Sequence, residues 1–176
     1  MESIKNYIET NRDRFLEELF GLIRIPSVSA SESNKPDMIR AAEYIRDLLD
    51  ANGADRAKVY PTAGNPIVYG EKIVDPLLPT ILVYGHYDVM PAEPLEKWIS
   101  KPFEPEIREG KIWARGADDD KGQLFMHLKA FEMMNATGTL ACNVKFMIEG
   151  EEEAGSASIA GFCAEYREML RSDVIL

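Results

Sequence analysis

The chain of 176 residues is 45% hydrophobic and 28% charged, the proportions of one globular domain with a sizeable core, which exclude the disordered and fibrous classes. Thirty Asp plus Glu against twenty Lys plus Arg give a formal charge of −10, so a phosphate backbone is repelled and nucleic acid is not an expected partner. The opening Met1-Glu2-Ser3-Ile4-Lys5 lacks the apolar core of a signal peptide, and no apolar run reaches membrane-spanning length, so the expectation is a cytoplasmic protein with no membrane partner.

From Glu2 to Arg24, Ile4, Ile8, Phe15, Leu19, Leu22 and Ile23 recur at near-helical spacing, and Ile25-Pro26 closes this first amphipathic helix. Ser27 to Lys35 is a polar loop, and a second helix follows with Ala41, Ile45, Leu48 and Leu49 on its apolar face and Gly53 as its cap. Ala57 to Tyr60 and Ile67 to Gly70 are short strand candidates on either side of the Gly64-Asn65-Pro66 turn. Pro79 to Tyr84 reads as a buried strand that ends just before His86 and Asp88. Prolines leave Val89 to Phe103 without regular structure, and Glu106 to Arg108 with Lys111 to Trp113 form a hairpin across Glu109-Gly110.

A helix with Leu124, Leu128, Phe131 and Met134 starts near Lys121 and ends before Thr137-Gly138, and its His127 takes a solvated or packing role. Asn143 to Ile148 is a strand with its apolar residues at 144, 146 and 148. The last helix carries Ile159, Phe162, Cys163, Tyr166 and Leu170, and Val174-Ile175-Leu176 begins one more strand. Cys142 and Cys163 read as small buried hydrophobes, without Cys-x-x-Cys spacing. The alternation of helices and strands indicates an α/β layered domain, and the hairpin argues against a purely parallel sheet.

Three charged clusters stand at strand ends or helix starts: His86 with Asp88, Asp118 to Asp120, and Glu151 to Glu153. In extended chain His86 and Asp88 project to the same side, at the end of a strand where α/β ligand sites lie. A carboxylate so placed can hold one imidazole nitrogen while the other binds a metal. Singly, each cluster has a plain alternative, a satisfied histidine at a strand end or an acidic helix start favoured by the macrodipole. Together they need cations, because packed carboxylates raise one another's pKa. Two divalent metals about 3.5–4 Å apart, bridged by a carboxylate and a water, would meet that need and make a hydrolytic centre. Mixed imidazole and carboxylate ligation favours zinc or a similar transition metal.

The stretches Gly85-His86-Tyr87-Asp88-Val89-Met90-Pro91, Arg115-Gly116-Ala117-Asp118-Asp119-Asp120-Lys121-Gly122 and Glu149-Gly150-Glu151-Glu152-Glu153-Ala154-Gly155-Ser156 resemble the M20 family of dinuclear zinc peptidases and deacylases. Trp98, Pro102-Phe103 and Gly110-Lys111-Ile112 are most similar to its dipeptidase branch, which includes the carnosinase-like enzymes. The resemblance implies a layered helix/mixed-sheet/helix catalytic domain of zinc-peptidase type. It implies His86 as the ligand of one zinc, Asp88 as the carboxylate orienting it, and Asp119 as the bridging ligand, followed by a cis peptide to Asp120. Glu153 becomes the ligand of the other zinc, and Glu152 the general base acting on a metal-bridging water.

It further implies two zinc ions, or cobalt or manganese, per complete site, a short peptide as substrate, and a homodimer for the full-length protein. Each metal's third ligand, and a lid and dimerisation domain, are expected beyond Leu176. Residues 1–176 would then be the N-terminal portion of a single catalytic domain, incomplete at its C-terminus and with little or no activity alone. Two alternatives stay open: an N-acyl amino acid deacylase or desuccinylase of the same family, and a non-catalytic metal-binding fragment.

Overall fold

Alternation along the strands decides the layers. The computed structural model describes residues 2–176. Its helices are α1 (Glu2–Ile23), α2 (Lys35–Ala51), α3 (Lys121–Ala136), α4 (Ile159–Glu165) and α5 (Arg167–Leu170). Its strands are β1 (Arg56–Tyr60), β2 (Ile67–Lys72), β3 (Thr80–His86), β4 (Glu106–Arg108), β5 (Lys111–Trp113), β6 (Asn143–Glu149) and β7 (Val174–Ile175). Val68, Val83, Val144, Phe146 and Ile148 face a core shared with Leu22, Ala41, Ile45, Leu124 and Phe131 of α1, α2 and α3. Their neighbours Ile67, Tyr69, Leu82 and Met147 face the opposite way, onto Phe162 of α4 and Leu170 of α5. The period of two therefore builds helix, sheet, helix, as the resemblance implied.

The sheet order is β1-β2-β6-β3-β7. The β6–β3 and β3–β7 pairs are parallel, whereas β2 is antiparallel to both of its neighbours, β1 and β6. The sheet is mixed as expected, but for a different reason: the β4–β5 hairpin forms a two-stranded sheet of its own, and β2 supplies the antiparallel pairing. In that hairpin Glu109 and Gly110 both have positive φ, 51° and 75°, the backbone a two-residue loop of matching twist requires. Several details depart from the sequence pattern. The loop at Ser27 to Lys35 contains a short 3₁₀ turn at Glu32–Asn34, the stretch from Val89 to Phe103 contains another at Leu95–Lys97, and the final helix is divided at Tyr166 into α4 and α5.

Tyr166 lies in an aromatic cluster, its ring centroid 4.7 Å from Phe162 and 5.0 Å from Tyr60. On the other face α1 is tied to α3 by ions as well as by apolar contact. Lys129 pairs with Glu18 and with Glu132, the latter at 2.6 Å, and Glu132 also takes Arg14 and the Tyr7 hydroxyl. Cys142 and Cys163 are unpaired, and half-buried where full burial was expected. Among the described residues no helix is long and apolar enough to cross a membrane.

Candidate functional site

The parallel strands β3 and β6 end side by side, with His86 opposite Glu149. Parallel strand ends are where α/β sheets place ligands, and the loops leaving these two carry the acidic clusters. The strand reaches His86, two residues past the expected Tyr84, because the ladder with β6 continues through Gly85 and His86. His86 is buried and Asp88 wholly so. Asp88 Oδ1 lies 3.3 Å from His86 Nδ1, which is also 3.1 Å from the Asp88 carbonyl oxygen. That arrangement keeps a proton on Nδ1 and directs Nε2 outward.

Asp88 carries a second task that sequence reasoning missed. Its Oδ1 accepts the Glu152 main-chain N–H at 3.2 Å and its Oδ2 accepts that of Glu153 at 3.0 Å. The carboxylate thus holds the acidic loop onto the end of β3. On the outward side, His86 Nε2 is 3.2 Å from Asp119 Oδ1 and 3.9 Å from Glu152 Oε2. Both acids are open to solvent, with side chains 73% and 46% exposed. The Asp119–Asp120 peptide is cis, as the resemblance implied. Asp120, not singled out as a site residue, accepts the His86 main-chain N–H on its Oδ2 at 3.0 Å. Gly85 makes this approach possible, since a Cβ there would sit 2.9 Å from Asp120 Oδ2 and 3.3 Å from Leu124 Cδ1.

Two members of the clusters do other things. Asp118 is exposed, and Glu151 accepts the main-chain N–H groups of Asn65 at 3.1 Å and Ser158 at 3.0 Å, a bracing role. Two buried groups beneath the site were not legible as such. Glu149 Oε1 accepts the Tyr84 hydroxyl at 2.6 Å and the Ser156 hydroxyl at 2.9 Å. Lys121, fully buried, donates from Nζ to the carbonyls of Leu22 at 3.0 Å and Ile25 at 2.6 Å, and burial pushes its pKa down to about 7. Its spacing from Leu124 and Leu128 places it on the buried stripe of α3, which is the signal that could have found it.

The electrostatics are those of concentrated negative charge. Burial pushes the His86 imidazole down, but its bond to Asp88 and the charges of Asp88, Asp120 and Glu152 outweigh burial and lift its pKa to about 9. Burial, with the charges of Asp119, Asp88 and Glu152, pushes the Glu153 carboxyl up against the opposing pull of His86. Burial also pushes the Asp120 carboxyl up, against the His86 amide and the charges of His86 and of the half-buried His127. Among the described residues no Lys or Arg forms an ion pair with Asp88, Asp119, Asp120, Glu152 or Glu153; His86 alone pairs with Asp88, Asp119 and Glu152. Nor do three His, Cys, Asp or Glu side chains converge there as a complete metal cage. An outward imidazole nitrogen beside open, uncompensated carboxylates nevertheless fits a divalent transition metal by donor chemistry and by charge.

Residues 82–175 match the family described as peptidase family M20/M25/M40. A cysteinylglycine-S-conjugate dipeptidase of Corynebacterium striatum is 34% identical over 167 residues, covering 94% of this chain and 36% of that protein. The structure of human carnosine dipeptidase 1 matches with a TM-score of 0.91 at 28% identity, over 99% of this chain and 40% of its own. An M20 family metallo-carboxypeptidase from Sulfolobus solfataricus matches with a TM-score of 0.86 at 33% identity, over 92% of this chain and 36% of its own. The chain therefore spans between 36% and 40% of the length of these relatives. The matched segment runs from β3 through α3 and the acidic loop to β7 and takes in more than half of the residues, so the chain belongs to peptidase family M20/M25/M40.

Proposed function

We propose that these residues are the front part of a metal-dependent dipeptidase centre that hydrolyses the amide bond of dipeptides or short peptides. The observation that carries the reading is the meeting of His86 Nε2 with Asp119 and Glu152, within 3.9 Å, on the open side of the β3 and β6 ends. His86 and Asp119 would hold one ion, and Asp119 and Glu153 a second, zinc or in its place cobalt or manganese. Bound there, the ions would supply Lewis-acid polarisation of a carbonyl and lower the pKa of a water.

The chain's own residues do the rest. Asp88 holds the His86 ring by Nδ1, so that Nε2 is unprotonated when a metal is present. By taking the two adjacent amides on separate oxygens, the same carboxylate fixes where Glu152 and Glu153 start. Glu152, anchored by its main chain and exposed at its side chain, is free to take a proton from the attacking water on Oε2 and return it to the nitrogen of the leaving amine.

Relatives named for cysteinylglycine conjugates and for β-alanyl-histidine support the dipeptide class. We read residues 1–176 as the N-terminal portion of one catalytic domain, in line with the share of its relatives the chain spans. The whole protein is proposed as a homodimer, by the resemblance. A reducing, cytoplasmic setting suits its two unpaired cysteines.

The test is hydrolysis of cysteinylglycine and of β-alanyl-histidine by the full-length protein and its Glu152→Gln variant. The variant should lose about 10²- to 10⁴-fold in rate, the span of general acid–base catalysis, while still taking up zinc. An unchanged rate would remove Glu152 from the role of base.

A further inference from the structure

Lys121 is a fully buried lysine that the proposed chemistry does not use. Burying an ammonium group is costly, and an aliphatic residue would suit the buried stripe of α3 with no such cost. What an aliphatic residue lacks is donors. Lys121 Nζ gives hydrogen bonds to the carbonyls of Leu22 and Ile25, at and just past the end of α1, where carbonyls lack the i+4 amide that a helix interior supplies. Among the described residues it forms no ion pair, so its acceptors are main-chain groups alone.

The segment it grips reaches the site from the other side. The Ile25 carbonyl also accepts the Ser27 N–H at 2.8 Å. Ser27, itself fully buried, donates its hydroxyl to the Tyr87 carbonyl at 2.7 Å, and its own carbonyl accepts the Val89 N–H at 3.0 Å. Val28 then bridges Val89 in parallel. Ser27 thus grips the residues on either side of Asp88. At its other end Lys121 follows Asp120 in sequence, and Asp120 Oδ2 accepts the His86 N–H at 3.0 Å. His86, Asp120, Lys121, Ile25, Ser27 and Asp88 form a closed circuit of chain and hydrogen bonds that passes through His86 and next to Asp119.

We propose that Lys121 is a positioning residue, a strut that sets the Asp119–Asp120 turn against the His86–Asp88 strand end by way of residues 25–28, and so tunes metal affinity. The inference rests on the reading of His86 and Asp119 as a metal-holding pair. The lysine touches no reacting atom and acts only through the groups it ties.

The experiment is calorimetric titration of zinc into metal-free full-length protein, for the wild type and for Lys121→Met, Ser27→Ala and Lys129→Met, with a thermal melt of each. Lys129 is a buried lysine of the same helix, bound to Glu18 and Glu132 and outside the circuit, and serves as the control for general destabilisation. Lys121→Met and Ser27→Ala should bind zinc about tenfold or more weakly, the scale of supporting contacts around a metal site. Lys129→Met should melt lower and bind zinc as the wild type does. Wild-type affinity in Lys121→Met, or an equal loss in Lys129→Met, overturns the inference. Should Lys121→Met not fold, Ser27→Ala decides by the same criterion. A wild type that takes up no zinc overturns the metal reading and this inference with it.

Discussion

Replacing Asp88 by Asn tests whether one carboxylate carries the acidic loop. Asp88 is fully buried, and its two oxygens receive the amides of Glu152 at 3.2 Å and Glu153 at 3.0 Å, with His86 Nδ1 3.3 Å away. Asparagine keeps one oxygen and puts an NH₂ group against the second amide, so one bond becomes neutral and the other is lost. A hydrogen bond to a charged acceptor is worth about 1.5–3 kcal/mol, and an unsatisfied buried donor costs about 1–3 kcal/mol. The two bonds are only part-buried, so water can recover some of the second cost, and a loss of about 2–3 kcal/mol is expected. Urea unfolding of the metal-free protein should show it as a lower midpoint at unchanged slope. A loss below about 0.5 kcal/mol would mean that the loop is held elsewhere, and the account of Asp88 as its anchor would fail.

Gly85→Ala should destabilise by about 1–3 kcal/mol, the usual cost of overpacking, because its methyl would press on Asp120 and Leu124; denaturation midpoints would show it, and a neutral effect would mean α3 can shift at no cost. Acid stability should depend on Glu132. Burial pushes its carboxyl up, but Arg14, Lys129 and Tyr7 outweigh burial and hold its pKa below the ordinary value. A depressed folded pKa means stability present above the unfolded value, about 4.3, and lost as pH falls from there through the folded value. Glu132→Gln should therefore flatten the decline of melting temperature below about pH 5. An identical decline in wild type and variant would count against the ion network.

Much of this arrangement could be read from one-dimensional pattern. Val144, Phe146 and Ile148 alternate as a strand facing one core should, and the helical periods of α1, α2 and α3 fall where expected. What pattern could not give was set by partners distant in sequence. The extension of β3 through Gly85 and His86 comes from pairing with Ile148 and Glu149, more than sixty residues on, which outweighs weak local strand preference. The period through Ile159, Phe162, Tyr166 and Leu170 is equally that of one helix or of two separated at Tyr166, so the division was invisible.

The site divides in the same way. His86, Asp88, Asp119, Glu152 and Glu153 stood out because their spacing at strand ends and helix starts resembles a known pattern. The roles of Asp120, Glu149, Lys121 and Ser27 did not, because each is defined by a bond to a segment far away in the chain. Glu151 shows the converse, an acid that local context groups with its neighbours and tertiary contacts assign to bracing Asn65 and Ser158.

The ends of β3 and β6 are proposed to hold divalent metal through His86, Asp119 and Glu153. Calorimetric titration of zinc into the metal-free full-length protein, beside its Asp119→Ala variant, is the measurement that decides it. Two ions should bind per chain in the wild type and neither should bind tightly in the variant, since Asp119 would serve both. A wild type that binds no zinc, or a variant that binds as the wild type does, would contradict it.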